Sequence, residues 1–102
     1  MKSIFVYITC PSKPIAKRIT KHLLERRLIA CANIFPIESF YWWQNKIEGA
    51  KEYVLICKTL EEKYAAIKKE LAEAHPYSIP CIAKLSVGLN KEFASWLKRE
   101  LK

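Results

Sequence analysis

Phe40-Tyr41-Trp42-Trp43-Gln44-Asn45-Lys46-Ile47-Glu48 reads as the tip of a long β-hairpin. Four consecutive aromatics suit a pleated strand, and Gln44-Asn45 makes a two-residue connection in which Asn tolerates a left-handed backbone. Strand residues alternate sides, so Phe40 and Trp42 face one way while Tyr41 and Trp43 face the other. Both faces therefore carry large apolar area. Traced back from the turn, the apolar run reaches Leu28 and, fully extended, spans on the order of 50 Å at ~3.3 Å per residue. A domain of this size has a radius of gyration of about 13 Å, so the arm is expected to project beyond its own core and to be covered by another subunit at Tyr41, Trp42 and Trp43. The alternative is a strand broken at Pro36, with both halves folded onto one core.

At 102 residues and 51% hydrophobic the chain supports one domain, 1–102, with a single modest core. Lys and Arg number 18 against 10 acidic residues, and the resulting +8 attracts anions without specifying one. The positive residues are spread over helical segments (Lys17, Arg18, Lys21, Arg26 and Arg27; Lys63, Lys68 and Lys69; Lys98, Arg99 and Lys102), which suits solvated faces. Cys10, Cys31, Cys57 and Cys81 form no CxxC pair and no zinc spacing. Free thiols in the cytoplasm are the expectation. The apolar start Ile4–Ile8 is too short for a secretory segment, and nothing approaches a membrane span.

Ile4, Val6 and Ile8 alternate with Phe5, Tyr7 and Thr9, a strand apolar on both sides and so central in a sheet. Pro11, Ser12 and Pro14 open a helix that carries Ile15, Ala16, Ile19, Leu23 and Leu24 at helical spacing and ends near Arg27. Leu28–Trp43 and Ile47–Lys58 form the hairpin, with Gly49 and Ala50 permitting a bulge or a close neighbour. Thr59 and Glu62 read as a capping box for a second helix with Leu60, Tyr64, Ile67 and Leu71 inward, stopped by Pro76. Ile79–Val87 is the last strand, and Asn90 caps a final helix bearing Phe93, Trp96, Leu97 and Leu101. This order, with right-handed crossovers, predicts an α+β fold: a ferredoxin-like βαββαβ sandwich with an extended β2-β3 hairpin and an extra C-terminal helix. Both long helices cover one sheet face. The other, carrying Phe5 and Tyr7, is left open.

No nucleophile, base and orienter set can be assembled, so catalysis is not expected. His22 reads as a solvated helix residue, whereas His75 sits at a helix C-terminus, where imidazole meets the negative end of the dipole or serves as a metal ligand. Imidazole with a thiolate, Cys31 or Cys10, suits Cu(I), Zn and other soft ions. Cys31, between Ala30 and Ala32, fits equally well as a small buried residue. Isolated Gly49 and Gly88 make no phosphate loop. An open sheet with aromatics is also how RNA recognition domains stack bases, but Lys51-Glu52-Tyr53-Val54-Leu55-Ile56-Cys57 lacks the glycine and spaced aromatics of that motif. Nucleic acid is not an expected partner.

Ala30-Cys31-Ala32-Asn33-Ile34, Ser39, Tyr41, Trp43, Lys46-Ile47, Glu52, Lys58-Thr59, His75-Pro76-Tyr77, Pro80 and Trp96 together make the chain resemble the CutA divalent-cation tolerance family. The resemblance implies a ferredoxin-like homotrimer shaped like the PII signalling proteins, linked to copper and other divalent ions, with metal contacts near the clefts between subunits. It marks Lys58, Glu52 and Tyr77 as cleft residues. Asn45 stands where the family commonly has Gly, Cys81 where Glu is common, and Ala74 where some members carry a second histidine. The expectation is a cytoplasmic, non-catalytic homotrimer that binds copper or another divalent or soft ion through His75 with Cys31 or Cys81. The rival is a PII-like interaction or anion-sensing scaffold that uses Lys58.

Overall fold

Alternation in the first strand fixes the centre of the sheet. In the computed structural model, which describes residues 2–101, β1 (Ser3–Cys10) buries Ile4, Val6, Ile8 and Cys10 completely and leaves Phe5, Tyr7 and Thr9 partly covered on the opposite face. A strand with apolar groups on both sides needs neighbours on both edges. The four-stranded sheet has the order β2-β3-β1-β4 and is antiparallel throughout, with β2 at Cys31–Trp43, β3 at Lys46–Leu60 and β4 at Ile82–Ser86. With α1 (Lys13–Glu25) and α2 (Tyr64–Ala74) on one face, this is the expected ferredoxin-like α+β arrangement.

Ser12 caps α1, its hydroxyl accepting from the Ile15 N–H, and Pro14 lies in the first turn, where a missing N–H costs nothing. The helix buries Ala16, Ile19 and Leu23. It closes on a Schellman motif: the Leu28 N–H reaches Leu23 O, the Arg27 N–H reaches Leu24 O, and Arg27 takes the left-handed conformation at φ 56°. Helix α2 contributes Ile67 and Leu71 to the same core. Glu70 on α2 bonds His22 of α1 and Arg26 at its C-cap, and so ties the two helices across their outer surface.

The hairpin is unbroken. Gln44 and Asn45 have φ of 50° and 63°, the left-handed pair of a type I′ turn, and pairing runs from Trp43↔Lys46 to Cys31↔Lys58 without a bulge. Pro36 keeps its place opposite Tyr53 because β2 is an edge strand, where a residue without an N–H is tolerated. Gly49 serves close approach: the Phe40 ring lies over it, and a Cβ there would come within 3.0 Å of Phe40 Cε1. The molecule measures 45 × 25 × 21 Å, and its long axis is set by the hairpin. At the tip Phe40, Trp42 and Ile47 are 76%, 72% and 67% exposed on one face, while Tyr41 and Trp43 are about half exposed on the other.

Two elements depart from expectation. Thr59 is not a helix cap: β1 pairing continues to Ser3↔Leu60, which holds Thr59 extended, and its hydroxyl donates to Leu28 O at 2.6 Å. A 3-10 turn over Glu61–Lys63 then precedes α2, and Lys63 at the cap position makes no side-chain cap bond. The last strand is shorter than Ile79–Val87, because its ladder with β1 begins only at Ile8↔Ile82. Ile79, expected in that strand, is 80% exposed in the preceding loop.

Helix α3 (Lys91–Glu100) packs Leu97 with Leu60 and Leu101, and with Phe93 and Trp96, forming a second small core. Leu60 falls in the same alternation as Ile56 and Lys58 on β3, so α3 closes one end of the face that α1 and α2 do not cover. Between α3 and the Pro76–Cys81 loop, Phe5 and Tyr7 are only partly covered, with Phe35 and Leu85 more exposed.

Candidate functional site: a carboxylate and thiol pocket beside the arm

The site is built by alternation from the turn. Register pairs Trp43 with Lys46, Tyr41 with Glu48, Ser39 with Ala50 and Ile37 with Glu52, so Ser39, Tyr41, Trp43 and Glu52 all stand on the open face. After α2 the loop carrying Pro76, Tyr77, Ile79 and Cys81 wraps over the end of β1 and meets them. These residues line a pocket of about 670 Å³.

His75 anchors the loop. It caps the C-terminus of α2, its N–H bonding Leu71 O, and its buried ring uses both nitrogens: Nε2–H donates to Thr9 O at 2.8 Å and Nδ1 accepts from the Tyr77 N–H at 3.1 Å. A carbonyl only accepts and an amide N–H only donates, so the partners assign the neutral Nε2–H tautomer. No lone pair remains for an ion. The expectation that His75 is the first metal ligand, or a cation facing the helix dipole, gives way to a structural role: His75 fastens the loop to β1.

Tyr77 packs its ring on His75 at 4.9 Å between centroids and donates its hydroxyl to Glu52 Oε2. Burial, followed by the hydrogen bond to Glu52 and its negative charge, holds the phenol well above the usual tyrosine range. It is therefore a lasting donor. A phenol held protonated in the fold adds stability that is complete below its ordinary pKa of 10.0 and is lost as pH rises beyond it. Melting temperature should fall above pH 10 in the wild type. The fall should be shallower in Tyr77→Phe, as thermal melts across pH 8 to 11 would show.

The other expected residues separate. Cys81 is exposed and lines the pocket. Cys31 pairs with Lys58, four positions along β3 from Val54, the partner of Thr9, so it lies about 13 Å along the sheet from the His75 contact and does not join it. Lys58 is six positions from Glu52, about 20 Å, with its ammonium 5.8 Å from the Phe5 ring centre and 5.4 Å from that of Phe93. Within one chain it lies under α3, apart from Glu52 and Tyr77. Burial raises the Cys10 thiol to about 11, assisted by the Glu52 charge, and raises Cys57 to about 12, assisted by Cys10 and Cys31. Both remain thiols at neutral pH and are poor ligands. Among the described residues no group of three His, Cys, Asp or Glu side chains could hold an ion. One chain thus offers the pocket a carboxylate and a thiol, an incomplete donor set.

Ser39 and Thr9 also line the pocket, and stepping by two from Trp43 and Tyr41 reaches Ser39. Trp42 projects from the face of the arm opposite Tyr41 and Trp43, as the strand alternation predicts.

A ferredoxin-like chain with a projecting aromatic hairpin, and a pocket where that hairpin meets the loop after the second helix, defines a narrow structural class. The profile of the family described as CutA1 divalent ion tolerance protein matches residues 4–100, and the chain belongs to that family. The "Divalent-cation tolerance protein CutA" of Archaeoglobus fulgidus is 50% identical over 95 residues, covering 91% of this chain and 92% of the relative. That of Thermococcus kodakarensis is 42% identical over 102 residues, covering 99% and 98%. Among solved structures, the Archaeoglobus fulgidus protein, described as a periplasmic divalent cation tolerance protein, superposes with a TM-score of 0.95 at 46% identity over 98% of this chain and 99% of its own. CutA1 from Oryza sativa gives 0.96 at 36% identity over 100% and 95%. Among the described residues no helix is long and apolar enough to cross a membrane.

Proposed function

We propose that the chain acts in divalent-cation tolerance as a non-catalytic homotrimer that holds copper or another divalent or soft ion at the pocket beside the arm. The observation that carries this reading is Glu52. It is a buried carboxylate, without a cationic partner among the described residues, facing the same pocket as the exposed Cys81 thiol. A buried carboxylate calls for positive charge, and a thiolate beside it favours Cu(I) or Zn over hard ions. Further donors come from water or a neighbouring subunit. Membership of a family whose relatives are named for divalent-cation tolerance supports the role, and the two-faced aromatic arm supports the assembly. Four unpaired thiols support a reducing compartment, the cytoplasm.

Calorimetric titration of zinc into reduced, assembled protein tests the site. Saturable uptake should weaken about tenfold or more in Glu52→Gln and in Cys81→Ser. Wild-type affinity in both pocket variants would remove the ion from this pocket.

A further inference from the structure

We propose that the outward side of α1 is a docking stripe for the phosphate backbone of nucleic acid, bound without regard to sequence. The stripe is separate from the divalent-ion pocket and does not depend on it. Positive charge is unevenly placed in this chain. Lys13, Lys17, Arg18, Lys21, Arg26 and Arg27 stand against Glu25 alone, so α1 and the turn after it carry five of the eight net positive charges. Three of these basic groups are engaged within the chain: Arg26 by Glu70, Arg27 by Glu100 and Arg18 by the Ala74 carbonyl. Lys13, Lys17 and Lys21 are exposed and form no ion pair among the described residues. Recurring every four residues, they stand in one row about 6 Å apart along the helix. Helix α1 covers the sheet face opposite the pocket, so the row lies apart from the arm surface proposed to meet a neighbouring subunit.

The row runs against local stability, which separates it from an ordinary solvated face. Each lysine repels the next at i,i+4, and Lys13 adds positive charge at the positive end of the helix dipole, where no acidic residue stands in the first turn. Elsewhere the chain interleaves signs: Glu92 opens α3, and Glu70 answers His22 and Arg26. A local rule broken without compensation inside the fold points to a compensating charge outside it. Docking of a protein surface or insertion into a membrane also needs apolar area, which a row of lysines does not offer, whereas a phosphate backbone needs only cations. With no aromatic in the row, the bases are not read.

Fluorescence anisotropy of labelled DNA duplexes of about 30 base pairs and unrelated sequence, with the reduced, assembled full-length chain between about 50 and 200 mM salt, tests the stripe. The duplexes should bind saturably and alike, with log affinity falling against log salt at a slope of about −3 or steeper, as counterion release at three phosphate contacts requires. Lys13→Gln/Lys17→Gln/Lys21→Gln should weaken binding about tenfold or more at low salt and flatten the slope by about 3. A control, Lys91→Gln/Lys98→Gln/Arg99→Gln, removes the same charge from α3 and should keep the wild-type slope. No saturable binding at low salt, an unchanged slope in the α1 variant, or equal losses in the two variants would each overturn the inference. Binding to phosphatidylserine vesicles without binding to DNA would overturn it in favour of a membrane surface.

Discussion

Trp43→Ala should lower the unfolding free energy of the assembled protein by about 3 to 5 kcal/mol, the range of large aromatic truncations at buried sites. Within one chain Trp43 is 49% exposed, so intrachain contacts alone cannot account for a loss of that size. The remainder is expected from the surface that the proposed neighbouring subunit covers. Trp43 closes the hairpin opposite Lys46, immediately before the turn, and forms a wall of the pocket, so its removal should open the proposed seam and the pocket together. The expected signature is a stability that depends on protein concentration in the wild type and less so in the variant, because association stabilises the fold by mass action. Chemical denaturation at several concentrations measures both quantities. A small, concentration-independent loss would mean that the ring stays in water.

Ile8→Ala should cost about 2 to 5 kcal/mol by a route that does not involve the arm. Ile8 is fully buried on the central strand, paired with Leu55 on one side and Ile82 on the other, beneath α1 and α2. Close packing leaves little room for neighbours to collapse into the gap, so the lost transfer energy and the cavity both count. Domains of this size have about 5 to 15 kcal/mol in hand, and the variant should lose a large share of it. A loss below about 1 kcal/mol in denaturant titration would show that the core relaxes around the missing side chain.

Much of this was legible in local pattern. The left-handed pair Gln44-Asn45 fixes the hairpin register, and counting by two from it places Tyr41, Trp43 and Glu52 on one face. The same count places Lys58 at the far end of β3, apart from Glu52 within one chain. Other features depend on partners distant in sequence. Thr59 and Glu62 match a capping box, but pairing of Leu60 with Ser3 holds that segment extended and overrides the local signal. Ile79 alternates as a strand residue should, yet the ladder with β1 starts only at Ile82, and the Thr9 carbonyl beyond it is taken by His75. The role of His75 was equally hidden: its acceptor lies 66 positions away in sequence, and nothing near either residue announces the contact.

The proposed homotrimer uses the arm's exposed aromatic surface as a seam that encloses the Glu52 pocket. Multi-angle light scattering of the reduced chain at micromolar concentration tests it most directly. A mass of three chains, about three times 11.9 kDa, is the predicted result. A mass of one chain, with Phe40, Trp42 and Ile47 left in water, would contradict it.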